Sequence, residues 1–136
     1  MSDPLQLLRT AKTIAVVGAS PDPWKESHGV MQYLQRQGYR CIPVRPDRVE
    51  VLGVASVASL AEIDEPIDLV DVFRRPEHCA EHAREAVAVG AKALWLQLGI
   101  RSAEARAIAE RAGLDYVENA CTAALHARHL RSGARR

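Results

Sequence analysis

Short apolar segments alternate with longer amphipathic segments along most of this chain. Residues 13–18 are almost continuously apolar, which is typical of a strand covered on both faces. Further short apolar segments recur four times and predict four more strands. These segments are residues 39–44, 67–73, 92–98 and 114–117.

Capping and helix-breaking residues delimit the predicted helices between these strands. Ser27 is a suitable N-cap for a helix that runs to about Gln37, and Gly38 can end it with a left-handed backbone. Pro76 suits the first turn of a helix that extends to Val89. Further helices are predicted over residues 4–11, 102–112 and 121–130, with a single turn at 59–63.

The alternation of strands and helices, without a hairpin signal, predicts an α/β fold. Right-handed crossovers then give a doubly wound parallel sheet of about five strands with helices on both faces. At 136 residues the chain is most simply one domain, with its core at about 10–130 and a flexible tail at 131–136. Ligands bind such sheets at the carboxyl ends of the strands, so the loops after Gly18, Val44 and Phe73 are expected to border one crevice.

Charge and cysteine content narrow the class of partner and the compartment. The formal net charge is +1, so the chain as a whole has no strong field toward nucleic acid or a membrane surface. Three cysteines without CxxC spacing argue against a disulfide framework and for a reducing compartment. The first residues lack the charged-then-apolar order of a signal peptide, and a cytoplasmic protein is expected.

The segment that follows the first strand suits an anion. Gly18, Ala19 and Ser20 are small residues that let a ligand approach the backbone closely, and a helix is predicted to begin shortly after them. The N-terminus of that helix would direct backbone N–H groups toward a phosphate. Lys25 lies just before the helix and would add a positive charge. The GxGxxG fingerprint of plain dinucleotide sites is absent from the sequence.

Arginines follow the second and third strands. Arg45 stands where a plain NAD site would carry a carboxylate for the ribose hydroxyls. An arginine there favours a nucleotide with an additional phosphate on its ribose, of which coenzyme A and NADP are the two common examples. Arg74 and Arg75 follow Phe73, ahead of the next predicted helix. With Lys25 and Arg45 they are expected to form a positively charged group at one mouth of the sheet.

The other residues that could bind a metal or act as nucleophiles form no recognisable catalytic or metal-binding motif. His78 and His82 have the i, i+4 spacing of metal ligands, but no third ligand is apparent, and a solvated helix face is the simpler interpretation. The same applies to His126 and His129. Cys121 with His126 would permit nucleophilic chemistry only beside an orienting carboxylate, which the sequence does not place. We therefore predict no catalytic residue and no metal site.

Four segments carry a family resemblance: IAVVGASPDP, GYRCIPVRP, DLVDVFRRPE and GAKALWLQLGI. They resemble the small stand-alone CoA-binding domain proteins, which are similar to the amino-terminal domain of the succinyl-CoA synthetase alpha subunit. The match extends from about residue 10 to residue 130. The resemblance implies a Rossmann-like fold and coenzyme A or an acyl-CoA as the ligand. It also implies binding without ligase chemistry, because the chain ends before a domain with the synthetase's phosphorylated histidine could begin.

The resemblance further implies that three loops hold the ligand. The residues that would cradle the CoA phosphates are Gly18, Ala19 and Ser20. Those that would border the nucleotide are Val44, Arg45 and Pro46. Those that would cover its other side are Phe73, Arg74 and Arg75. Many relatives have asparagine at the position of Arg45.

Two alternatives to this function remain open at this point. One is an NAD(P)-linked redox sensor or small oxidoreductase on the same fold, with Asp47 as a late substitute for the ribose carboxylate. The other is a mixed disulfide between CoA and a cysteine such as Cys121, which requires an exposed thiolate. Beyond a small-molecule ligand, the sequence leaves open self-association or an unidentified protein partner.

Overall fold

The computed structural model describes residues 1–131, which form a five-stranded sheet with helices on both sides. Strands β1 to β5 are Thr13–Val17, Arg40–Val44, Leu69–Val72, Ala93–Leu96 and Asp115–Val117. Helices α1 to α5 are Pro4–Thr10, Glu26–Arg36, Pro76–Ala88, Ala103–Arg111 and Thr122–His129, with a 3-10 turn at Leu60–Glu62. Of the predicted flexible tail, residues 132–136 lie outside the described residues.

The strands are parallel and lie in the order β2-β1-β3-β4-β5. From β1 the chain moves to one side to form β2, and then returns to the other side of β1 to form β3. The winding direction therefore reverses between β1 and β3, and this is where doubly wound sheets bind their ligands. The predicted α/β fold with a Rossmann-like doubly wound sheet is confirmed.

Both faces of the sheet are buried, which explains the apolar strand segments. All five residues of β1 are buried. On one face, Ala15 and Val17 belong to a core that includes small residues of α3 and α4, such as Ala83 and Ala105. On the other face, residues of β1 pack with apolar side chains of α1, α2 and the segment around α5. No helix among residues 1–131 is both long and apolar enough to cross a membrane.

The start of α2 differs from the sequence prediction. Ser27 was expected to be the N-cap, but the helix begins at Glu26, Lys25 occupies the N-cap position, and the prediction is wrong. Ser27 lies within the first turn and is buried. The prediction for α4 is confirmed, because the Ser102 hydroxyl accepts a hydrogen bond of 3.1 Å from the amide of Ala105.

Gly18 joins the loops that follow the first three strands. It has a left-handed backbone with φ of 83°, and its amide donates to the Val44 carbonyl over 3.2 Å. A Cβ atom at Gly18 would lie only 2.5 Å from the Phe73 carbonyl oxygen and 3.2 Å from Cδ of Arg74. The loops after β1 and β3 therefore meet at a separation that only glycine allows.

A carboxyl group is buried in the middle of the sheet. Asp71 on β3 is completely buried, and its Oδ2 accepts hydrogen bonds from the Thr122 hydroxyl over 3.1 Å and from Gln97 Nε2 over 3.4 Å. Gln97 Oε1 in turn accepts from the Thr122 amide over 3.1 Å. Oδ1 of Asp71 has no partner. Loss of hydration raises the pKa of Asp71 to about 8, although the Thr122 hydrogen bond acts in the opposite direction.

Replacing Asp71 is expected to change how stability depends on pH. The folded protein keeps the Asp71 proton up to about pH 8, whereas the unfolded chain releases it near the ordinary pKa of 3.8. The folded state thus binds more protons between these values, so this group makes the unfolding free energy fall as pH rises across that window. Asp71→Asn removes this contribution. Urea unfolding should show the variant gaining stability relative to wild type from about pH 4 to pH 8; a pH-independent difference would contradict the burial argument.

Gly18→Ala should destabilise the fold. The left-handed backbone alone costs about 1–2 kcal/mol for a residue with a Cβ, and the contact with Phe73 adds to it. Gly29→Ala is the matched control, because Gly29 lies in α2 and a Cβ atom added there would meet open space. Helix propensity predicts that this control gains up to about 1 kcal/mol. Denaturant unfolding of both variants measures the contrast, and similar effects at the two glycines would be inconsistent with a close contact at Gly18.

Candidate functional site

A cleft of about 680 Å³ opens at the carboxyl ends of the central strands. Its walls come from four segments: the loop after β1 with the first turn of α2, Arg45 after β2, the loop after β3, and the loop after β4. The cleft therefore lies where the winding of the sheet reverses. The structure brings most of the predicted site residues to it, namely Gly18, Ser20, Lys25, Arg45, Phe73, Arg74 and Arg75.

Three predicted site residues do not line the cleft. Ala19 is 1% exposed and packs into the core, and Val44 is likewise buried in the core. Pro46 is exposed but lies outside the cleft wall. Ala19 and Val44 help to shape the cleft through their backbones instead. The Ala19 carbonyl accepts a hydrogen bond from Arg45, and the Val44 carbonyl accepts one from the amide of Gly18.

Two helices begin at the cleft without a side-chain cap. Lys25 is the N-cap residue of α2, and Arg75 is the N-cap residue of α3; neither side chain bonds to the first turn of its helix. The N–H groups of the first turns thus lack the usual capping partner. Each N-terminus carries a partial positive charge, and a cationic side chain stands beside each one. Glu26 in the first turn of α2 reduces this positive potential.

The loop between β1 and α2 is ordered by its own hydrogen bonds. The Ser20 hydroxyl accepts from the Asp22 amide over 3.1 Å, and the Asp22 carboxylate accepts from the Trp24 amide over 3.0 Å. The amide of Lys25 donates to the Asp22 carbonyl over 3.0 Å. These turns set the direction in which the backbone enters α2. The loop is consequently held in shape by hydrogen bonds between its own residues.

Arg45 is already paired within the protein. Its Nε and Nη2 donate to the two carboxylate oxygens of Asp47 over 2.8 and 2.7 Å, and Nη1 donates to the Ala19 carbonyl over 2.6 Å. The side-chain hydrogen bond from Arg45 is the main reason that the pKa of Asp47 falls to about 2. Asp47 therefore neutralises the Arg45 charge locally. The guanidinium ties the loop after β2 to the loop after β1.

Arg74 is held by contacts that the sequence did not reveal. Its Nη1 lies 3.4 Å from Nε2 of His82, and Nδ1 of His82 lies 2.7 Å from Oε1 of Glu85. The His82 side chain is only 12% exposed, so the expectation of a solvated position is wrong for this residue. With Nδ1 protonated and donating to Glu85, Nε2 accepts from Arg74. This chain of contacts supports the Arg74 side chain beside the cleft.

The loop after β4 supplies a wall that was not predicted from the sequence. Gln97 and Leu98 line the cleft together with Ile100. The Gln97 side chain is fixed by its hydrogen bonds to Asp71 and Thr122. Leu98 is 60% exposed and places an apolar surface at the cleft. A glutamine at the end of an apolar strand segment is the sequence signal that could have indicated this wall.

Comparison with known proteins gives consistent results for sequence and structure. A family model described as CoA binding domain matches residues 12–127. The uncharacterized protein YneT of Bacillus subtilis (strain 168) is 41% identical over 122 residues, which is 90% of each chain. A hypothetical protein from Pyrococcus horikoshii OT3 superposes with a TM-score of 0.92 and 39% identity, covering 95% of this chain and 91% of that chain.

A more distant match extends the comparison to a larger enzyme. The dinucleotide forming acetyl-coenzyme A synthetase 1 of Ca. Korarchaeum cryptofilum superposes with a TM-score of 0.73 and 21% identity. The alignment covers 86% of this chain and 28% of the synthetase, and at this identity it supports the fold alone. The family match extends over most of the sequence and includes every segment that borders the cleft. The chain therefore belongs to the CoA-binding domain family.

Proposed function

We propose that this protein binds coenzyme A or an acyl-CoA in the cleft between the loops after β1 and β3. The observation that carries the proposal is the meeting of two uncapped helix N-termini with Lys25, Arg74 and Arg75 at one cleft. Backbone N–H groups and cationic side chains in this arrangement favour phosphate groups. The membership in a CoA-binding domain family supports CoA as the source of those phosphates.

The cationic residues divide into two classes with different roles. Among residues 1–131, Lys25, Arg74 and Arg75 form no ion pair with a carboxylate, whereas Arg45 is paired with Asp47. We assign the phosphate contacts to the first three residues. Arg45 acts as a positioning residue, because its bond to the Ala19 carbonyl holds the loop that faces the ligand.

The apolar wall is suited to the remainder of the ligand. Phe73, Leu98 and Ile100 offer carbon surface within the same cleft as the cations. We place the pantetheine arm, and the acyl group of an acyl-CoA, along these side chains. Burial of that surface would add to the affinity that the phosphates provide.

The composition of the cleft supports a binding role without ligase chemistry. In the described part of the chain, the residues that line it include no histidine and no cysteine, and Glu26 is their only carboxylate. Nucleophilic catalysis requires a nucleophile beside a general base. Ser20 and Ser27 also line the cleft, but among the described residues no hydrogen bond joins either hydroxyl to Glu26.

The thiols of Cys41 and Cys79 are buried, and burial raises their pKa values to about 12 and about 11. Neither is suited to form a mixed disulfide with CoA. Cys121, the thiol considered from the sequence, is partly exposed but does not line the cleft.

Substitutions of the phosphate-binding arginines and of Arg45 should differ in how they change the affinities for CoA and dephospho-CoA. Arg74→Ala and Arg75→Ala are each expected to weaken CoA binding by about 1.5–3 kcal/mol, the range for a hydrogen bond to a charged group. Arg45→Ala should weaken CoA and dephospho-CoA by similar factors, because it loosens the loop after β1 rather than removing a contact to the ribose phosphate. Titration calorimetry with both ligands measures these affinities.

Arg111→Ala provides the control, since Arg111 is exposed at the end of α4 and away from the cleft. It should bind CoA as tightly as the wild type. A loss confined to CoA in Arg45→Ala would show a direct contact to the ribose phosphate instead of a positioning role. Tight binding of NADPH together with no binding of CoA would contradict the proposal and support the dinucleotide alternative.

A further inference from the structure

A second cavity lies at the opposite end of the sheet from the cleft. It has a volume of about 440 Å³ and is bordered by Leu8, Arg9, Tyr39, His126, His129 and Leu130. Arg9 is in the last turn of α1, and Tyr39 directly precedes β2, so the cavity is at the amino ends of the strands. It shares no lining residue with the cleft.

His126 has a fixed orientation in this cavity. Its Nδ1 lies 2.9 Å from the Tyr33 hydroxyl, and its ring packs edge to face with Tyr33 and Tyr39 at centroid distances of 5.6 and 5.7 Å. The Tyr39 hydroxyl donates to the Leu8 carbonyl and is therefore committed elsewhere. Among the described residues the Tyr33 hydroxyl has no other hydrogen-bond partner, and a phenol donates more readily than it accepts, so we assign it as the donor to Nδ1 of the neutral imidazole.

This hydrogen bond determines which ring nitrogen carries the proton. When Nδ1 accepts from Tyr33, Nε2 of the neutral imidazole is an N–H donor. Within residues 1–131, the single buried side-chain nitrogen or oxygen without a partner is Asp71 Oδ1, so Nε2 of His126 is not sealed in the core. Because His126 borders the cavity, its donor edge is open to a ligand there.

The charges around His126 are positive or neutral. Arg9 faces the cavity from α1 and His129 from α5, while Arg131 acts on the ring from beyond α5. The groups packed against the ring from α2 and from the start of β2 are the phenols Tyr33 and Tyr39. None of the residues that border the cavity is acidic. Such a surface attracts an anion and repels a metal cation.

We propose that this cavity binds a phosphate-type oxyanion, either inorganic phosphate or the phosphate of a small monoester, through the Nε2–H of His126 with Arg9 and His129. The site is independent of CoA binding at the cleft. Burial, and to a lesser degree Arg131, lower the pKa of His126. A bound anion would raise this pKa again, so the affinity should increase as the pH falls.

The first test concerns the ligand-free protein. Nitrogen-15 NMR of the imidazole should show the Nε2–H tautomer for His126. Tyr33→Phe removes the hydroxyl that donates to Nδ1 and should shift the Nδ1 resonance to that of an imidazole nitrogen without a hydrogen bond. Finding the Nδ1–H tautomer in the wild type would overturn the proposal, because Nε2 would then present a lone pair to the cavity.

The second test adds inorganic phosphate or glycerol 3-phosphate while the His126 resonances are followed. Each ligand that binds should raise the pKa of His126 by roughly one unit, as a nearby opposite charge does. Affinity should then be about tenfold higher below the His126 pKa than above it. Tighter binding of glycerol 3-phosphate would indicate a monoester ligand, and tighter binding of inorganic phosphate would indicate the free ion.

Variants show which residues the His126 response to phosphate depends on. The double variant Arg9→Ala, His129→Ala should bind phosphate at least about tenfold more weakly, because these side chains provide two of the three proposed ligand contacts. Both side chains are exposed, so the variant should still fold. Arg128→Ala, on the exposed side of the same helix, and Arg75→Ala at the cleft should leave the His126 response unchanged. An unresponsive His126 in the wild type, or wild-type affinity in the double variant, would overturn the proposal.

Discussion

The close approach of the loops after β1 and β3 is the constraint on which the rest of the site depends. The Phe73 carbonyl occupies the space that a side chain at Gly18 would need, and the Phe73 amide donates to the Val17 carbonyl over 2.8 Å. This backbone contact places the N-termini of α2 and α3 beside the same cleft. The positive potential of the site therefore begins with backbone geometry, and the cationic side chains add to it.

The pairing of charges then decides which cations remain for a ligand. The Arg45 charge is balanced by Asp47, and the guanidinium holds the loop at Ala19. Arg74 is supported by His82, whose Nε2 lies 3.4 Å from the guanidinium. One arginine thus maintains the shape of the cleft while another offers its charge to the cleft. Sequence position alone makes these two residues look equivalent.

The fold and the cleft that gathers most of the candidate residues could be predicted from the sequence, because both follow from short-range patterns. Strands covered on both faces, such as Thr13–Val17, are continuously apolar, and the carboxyl ends of parallel strands lie together. The pairing of Arg45 with Asp47 and the contact between Arg74 and His82 depend on side-chain directions that spacing does not determine. The wrong N-cap at Ser27 has a similar origin, because the burial of that side chain follows from how α2 packs on the sheet.

The most direct test of the central claim is to follow the backbone amides by NMR while coenzyme A is added. The account predicts the largest shifts at Gly18 and in the first turns of α2 and α3, at Glu26, Ser27 and Glu77, with little change at the amino ends of the strands. Saturable shifts confined to another surface, such as that around Arg111 at the end of α4, would contradict it, as would no shift at all.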